Sequence, residues 1–337
     1  MRKTAVCSLI ALLLLALVTP CFAAAPQKWK LAHVRPITDE IHENMLEFAE
    51  NVKTRTDGRI EIEVFPAGQL GSAEAVFERI GMGTVEMQCA WMNTMLDKRL
   101  EIYNFPGFTG NYEEVAKVYS LGSPFMNLLQ ELCDPLGVKL LGSYAQYLAG
   151  AAFVELPDDV KNPNAKHTQK LRVPSQKMFA WMWEGFGYMT TPLPSSEVFT
   201  ALQTKVIDGV ATQGAQTIYM NTRDVVKHWL AADTNYEPWF LYVSTEVFEK
   251  LDKADQEIIL DEARNVEKKK FGDAEQLMRD YEKKLAEHGI NVIELTPEEK
   301  QAFQQKIKEF VLPRLQKELG DKFYERTIQA LEDSLKS

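Results

Sequence analysis

Apolar positions along the chain change period in a regular order. After Trp29–Val34, a run that reads as a strand, Ile41, Met45, Phe48 and Val52 recur every three or four residues, which predicts an amphipathic helix over 38–55. Ile60, Ile62 and Val64 then alternate with Glu61 and Glu63, the period-two pattern of a half-buried strand. A helix capped by Ser72 leads to a further apolar run over 85–91. The order β-α-β-α-β predicts a mostly parallel sheet with helices on its faces. Ligands of such sheets gather beyond the carboxyl ends of the strands, which here are His33 to Arg35 and Trp91 to Asn93.

Further on, 112–135 reads as helix and Val138–Ser143 as a strand that leads through 144–150, with Gln146 and Tyr147 at the crossing, into a second set of elements. There a short β-type run carries Arg172 and is closed by Pro174, and a helix is expected to start at Ser175. Ser195 or Ser196 is placed to cap another helix bearing Val198, Leu202 and Val206, ended by Asp208-Gly209. The aromatic group Phe179, Trp181, Trp183, Phe186 and Tyr188 is read as core beneath these elements. A return strand over 234–243 is followed by a long helical pattern from Asp252, its candidate cap, to His288, with Gly289 to end it. At about 1.5 Å per residue that helix spans roughly 50 Å, too long for one lobe, so it is expected to brace two. Thr296-Pro297-Glu298-Glu299 is a capping-box start for the last helices.

The first two dozen residues fall outside this scheme. Arg2 and Lys3 precede an apolar core at 9–18 and a small-x-small site at Cys21-Phe22-Ala23, the layout of a secretory signal peptide over 1–23. The formal charge of the chain is −10, and loss of Arg2 and Lys3 takes it two units further, to −12. So acidic a chain has no basic stripe for nucleic acid. Cys7 and Cys21 belong to the signal or its edge, and Cys89 and Cys133, in apolar runs, are read as buried free thiols.

Attraction for an anion must then be local. Arg172 stands beside the expected start of a helix, where unpaired N–H groups and the positive end of the dipole meet a planar guanidinium fork, with Ser175 and Ser195 at nearby helix starts. A surface ion pair is the plainer reading of a single arginine. No G-x-S-x-G, H-E-x-x-H, C-x-x-C or P-loop occurs, and Gly185-Phe186-Gly187 lacks the third glycine of a dinucleotide fingerprint. The five histidines are scattered, which speaks against a histidine metal site; no cofactor is expected.

LRVP at 171–174, Gly187, the SEVFTALQT run at 196–204 and IDG at 207–209 resemble the second-lobe signature of the extracytoplasmic solute-binding proteins of TRAP transporters, the DctP-like family. The stretch 47–87, with Gly58, FPAGQLG and Gly83, resembles the first-lobe pattern, and TNY at 234–236 and the run 243–259 continue it. The resemblance implies a two-lobed periplasmic binding protein fold, monomeric and non-enzymatic, with lobe I over 26–147 plus about 236–270 and lobe II over about 148–235 plus about 271–335. It implies a small organic acid as ligand and the membrane-embedded TRAP subunits as partner, with Arg172 as the anion seat. Trp91 stands where relatives place a ligand contact, and Thr212 with Gln213 where they use a polar side chain. Departures are equally specific: Ala152 replaces a second arginine and Lys205 a frequent glycine, which points to a compact acid with one strong anionic group. Carboxylate, 2-oxoacid, hydroxyacid, aromatic acid and sulfonate all stay open. A binding protein of an ATP-driven importer and a secreted α/β hydrolase or lyase are the alternatives.

Overall fold

A computed structural model describes residues 25–336; the signal-peptide reading, with Cys7 and Cys21, lies outside the described residues. In chain order the first elements are β1 (Gln27–Ala32), α1 (Glu40–Arg55), β2 (Ile60–Phe65), α2 (Ala73–Gly81) and β3 (Met87–Ala90). They are followed by α3 (Tyr112–Tyr119), α4 (Pro124–Cys133), β4 (Val138–Leu148), β5 (Gly150–Phe153), β6 (Lys170–Val173), α5 (Lys177–Gly185), β7 (Met189–Pro192) and α6 (Val198–Gln203). Then come β8 (Gly209–Gln213), α7 (Ala215–Asn221), β9 (His228–Ala231), β10 (Tyr236–Ser244), α8 (Thr245–Glu249) and α9 (Lys253–Glu287). The chain closes with β11 (Asn291–Glu294), α10 (Pro297–Phe310), α11 (Leu312–Leu319) and α12 (Asp321–Lys336).

The strands form two sheets, β2-β1-β3-β10-β4 and β11-β9-β5-β8-β6-β7, each flanked by helices. Where helices return the chain the pairing is parallel, as expected: β1 with β2 and β3, and β6 with β7 and β8. The strands that carry the chain between sheets run the other way. β10 is antiparallel to β3 and β4, and β5 to β8 and β9, because a direct crossing enters the next sheet without a helical return. Both sheets are therefore mixed. Only Ala149 separates β4 from β5, so one nearly continuous extended segment ties the lobes.

The predicted core faces are buried: Ile41, Met45, Phe48 and Val52 of α1 pack with Trp29, Leu31 and Trp239. A larger cluster continues from Phe77 and Tyr103 through Phe125 to Phe179, Trp183, Phe186 and Tyr188, with Trp181 only half-buried at its edge. Cys89 and Cys133 are buried and free.

Several boundaries differ from expectation. Ser123 accepts from the Met126 N–H and Pro124 opens a new helix, so 112–135 is two helices instead of one. The strand read as 138–143 runs on to Leu148, since its crossing residues find partners on β10. The helix expected at Ser175 begins two residues later, after Gln176. Ser195 and Ser196 lie in a 3-10 turn and cap nothing through their side chains. Val206 lies past the end of α6 and is exposed. By contrast Asp252, Ser72 and the reciprocal Thr296–Glu299 pair cap as expected.

Candidate anion-binding site

The site candidates gather where β4 and β10 pass between the sheets. Tyr147 of β4 pairs in register with Glu237 of β10, and one residue beyond β4 the chain enters β5, whose Gly150 pairs with Gln213 of β8. Next to β8 runs β6, with Arg172 opposite Val210. The β5–β8 register skips Thr212, so Thr212 is the extra residue of a bulge, and its backbone takes φ 64°, rare for a β-branched side chain. Its Oγ1 is buried without a hydrogen-bond partner, as are Gln213 Oε1 and Thr217 Oγ1.

Arg172 is 5% exposed, and its Nε donates to the Leu193 carbonyl at 2.8 Å. Among the described residues no carboxylate lies within 4.0 Å of it, so the surface ion pair that was the plainer reading does not form. Burial draws the guanidinium down to about 10, while Tyr147 and Glu237 act the other way, and it stays charged at neutral pH. One N–H of the guanidinium is engaged by the protein and the outer fork is left for an acceptor.

Across the junction, burial pushes the Glu237 carboxyl up to about 7, against the opposing pull of Arg35 and Arg172. Tyr147 is pushed up to about 12 by burial and by the Glu237 charge. Its ring lies on the chain before α7: a Cβ on Gly214 would stand 2.3 Å from Tyr147 Cγ, so that position needs glycine. On the first-lobe side Trp91 donates from Nε1 to Glu74 at 2.7 Å and meets Trp239 edge-on at 5.4 Å. Arg35 lies 5.1 Å from the Trp239 ring and 3.8 Å from Asp39.

The remaining expected residues are distributed differently. His33 is fully buried and shares a 3.1 Å hydrogen bond with His42; burial, aided by His42, lowers it to about 4. Asn93 is tied to α2 and to the Met95 N–H through both ends of its amide. Ser175 and Ser195 are exposed, and Gln146 is buried beside Tyr147. Sequence reasoning missed Glu237, Thr217 and the role of Trp239. Glu237 left one signal, a lone acid in the apolar run Tyr236–Val243. A separate cavity of about 480 Å³ lies beside α9, but its acids Glu113, Asp233, Glu275, Glu282 and Glu294 outnumber Arg279 and Lys300 and oppose an anion. No group of three or more metal-ligating side chains occurs among the described residues.

Two α/β lobes joined by crossing strands make a two-lobed binding-protein fold. Residues 31–317 match the model of bacterial extracellular solute-binding protein family 7, DctP, and the chain belongs to that family. It is 25% identical to the C4-dicarboxylate-binding periplasmic protein DctP of Rhodobacter capsulatus, over 70% of each chain. It is 23% identical to the 2,3-diketo-L-gulonate-binding periplasmic protein YiaO of Escherichia coli, over 80% of this chain and 81% of that one. Among solved structures, a TRAP periplasmic solute-binding protein of Haemophilus influenzae with bound L-gulonate superposes with a TM-score of 0.78 at 23% identity, covering 91% of this chain and 99% of that one.

Proposed function

We propose that this chain is the periplasmic, non-enzymatic solute-binding subunit of a TRAP transporter, closing its lobes on a small organic acid held by Arg172 and passing it to ion-driven membrane subunits. The observation that carries this is the buried Arg172 guanidinium, short of acceptors at the junction of the two lobes. The relatives support it in kind, since those named above bind acids. Processing near Ala24 or Ala25 would release the mature protein, and the lobes would divide as 26–147 plus about 236–270 and about 148–235 plus about 271–335. The last division cuts α9, which would then serve both lobes.

Removing one partner of a desolvated charge pair costs about 2–5 kcal/mol, roughly 30- to several-thousand-fold in affinity. Arg172→Met is therefore expected to nearly abolish acid binding, and Arg172→Lys to restore only part, because an ammonium cannot present the fork. Ligand-free melting should change little, the side chain having no carboxylate partner to lose. Calorimetric titration and thermal melts of the three proteins check this. Binding by Arg172→Met within about threefold of wild type, under 1 kcal/mol, would remove Arg172 from the role.

A further inference from the structure

We propose that the cleft takes up a proton together with its acid, and that the proton passes from solvent onto a carboxylate oxygen of Glu237. This rests on Arg172 as the anion seat and concerns the charge around that seat when it fills.

Four charged groups meet at the crossing. Arg35 lies on the Trp239 ring with Asp39 at 3.8 Å, and Arg172 forms no ion pair among the described residues. Glu237, paired with Tyr147 across β4 and β10 and hydrogen-bonded by the Trp239 side chain, feels the charge of both guanidiniums. Two cations and two carboxylates leave the group neutral. A ligand anion is a fifth charge, and it arrives at a guanidinium that helps to keep Glu237 ionised. It cancels the attraction of Arg172 and adds a repulsion of its own, and two carboxylates in one desolvated site do not both stay ionised. The ligand carboxylate is the one held by the Arg172 fork, so the proton falls to Glu237 and neutrality returns.

The neighbouring groups leave that role to Glu237. Tyr147 on β4, Tyr236 on β10, Tyr103 before α3 and Tyr119 on α3 all feel its charge, and each is pushed up by burial and already protonated at neutral pH. His33, two residues before Arg35 and bonded to His42, is lowered to about 4 by burial. Asp39 is drawn to Arg35, and Glu74 accepts from Trp91 Nε1. Glu237 itself is half-buried, which leaves its carboxyl a path to solvent, and burial has already moved it from 4.5 to about 7 against the pull of Arg35 and Arg172. Loss of the Arg172 pull carries it further up. Free Glu237 is then protonated below about pH 7 and ionised above it, while in the complex it keeps its proton to higher pH. Affinity is therefore level below about pH 6 and falls as pH rises through 7, by about five- to tenfold between pH 6 and 8 if Glu237 titrates at about 8 or above in the complex.

The test is calorimetric titration of the whole mature protein with L-gulonate, D-glucuronate and pyruvate, monoacids ionised throughout the range, from about pH 5.5 to 8.5 in two buffers of different ionisation enthalpy, for wild type, Glu237→Gln and Arg172→Met. For the acid that binds tightest, wild type should weaken about five- to tenfold from pH 6 to 8, taking up about half a proton or more at pH 7.5 and close to none at pH 5.5. Glu237→Gln should bind at pH 8 within about twofold of its own affinity at pH 6 and take up no proton. The proton count is read on wild type alone, so it decides the matter even if the variant does not fold. A wild-type affinity level across the range, a proton count of zero, or a pH dependence unchanged in Glu237→Gln, which keeps Glu267, overturns the proposal. Arg172→Met separates the two readings: if it loses the acid while wild type takes up no proton, the seat stands and only the proton site falls. Retained binding in Arg172→Met, or no binding of any of the three acids by wild type at millimolar concentration, removes the seat and the proton site with it.

Discussion

Five helices end with the same reversal, and two of them, α1 with Asp57 and α6 with Lys205, do it without glycine at the left-handed position. After α2, α5 and α9 the chain turns through Gly83, Gly187 and Gly289 at φ 67°, 86° and 93°, with paired bonds back into the last turn, such as Thr84 N to Arg79 O and Gly83 N to Ile80 O. After α6 the same bonds form, Val206 N to Ala201 O and Lys205 N to Leu202 O, but the left-handed position is Lys205 at φ 57°. Lys205 is exposed, and among the described residues its side chain finds no hydrogen-bond or ion-pair partner that would compensate. A Cβ in that conformation costs on the order of 1 kcal/mol, so Lys205→Gly is expected to stabilise the protein by about 0.5–1 kcal/mol after the extra chain entropy of glycine. Urea unfolding of the two proteins should show a higher midpoint at unchanged slope; a lower midpoint would mean the strain is relieved in some other way. Thr212 at φ 64° differs, because it is the bulge residue of β8, the strand paired with the β6 of Arg172, and its hydroxyl is buried.

α9 shows how a surface-looking pattern can hide a buried charge. Its 35 residues lie over both sheets, and four of its charged side chains, Asp255, Glu262, Glu267 and Lys270, are buried. Glu262 accepts from Arg55, Lys270 pairs with Glu40, and Glu267 accepts from the Ser143 N–H at 2.7 Å and the Leu121 N–H at 3.0 Å. Burial still outweighs those N–H groups and pushes the Glu267 carboxyl from 4.5 to about 7. The folded state therefore keeps a proton that the unfolded chain releases between about pH 4.5 and 7. The unfolded chain binds fewer protons in that window, so this group's contribution to stability falls as pH rises through it and levels off above about 7. Glu267→Gln keeps an acceptor and removes the titration. Its melting temperature relative to wild type is expected to rise as pH goes from 5 to 8, and a difference constant across that range would refute the linkage. Glu237 shifts in the same direction and stays in both proteins, so it cancels from the comparison.

At the scale of the whole molecule, the proposed cleft would have Trp91, Trp239 and Arg35 of the first sheet's side facing Arg172, Thr212 and Gln213 of the second. A ligand that touches both sides binds the closed arrangement better than the open one and shifts the population by that difference. Saturating acid is expected to reduce the radius of gyration in solution scattering and to change the emission of Trp91 and Trp239. Superimposable scattering curves with and without ligand would exclude closure. The crossing strands β4 and β10, paired from Tyr236–Leu148 to Ser244–Val138 with two register shifts on the way, are the shared element about which the lobes would move.

Sequence alone was enough for whatever depends on neighbours a few positions away. The core face of α1, the caps at Ser72, Asp252 and Thr296, the stop at Gly289 and the alternation of elements follow from periodicity and capping, which act within about four residues. Arg172 could be singled out as a candidate because its setting beside a strand end is local, and because LRVP sits in a resemblance that spans the chain. The tertiary structure decided the rest. It carried β4 on to Leu148, reversed β5 and β10 against their neighbours, and buried Glu267 on the inner face of α9. It also put Glu237 beside Tyr147 and within reach of Arg35 and Arg172, residues far apart along the chain. Strand pairing and desolvation are set by which segments meet, and a charge shows its partners, or its lack of them, only after the sheets have assembled.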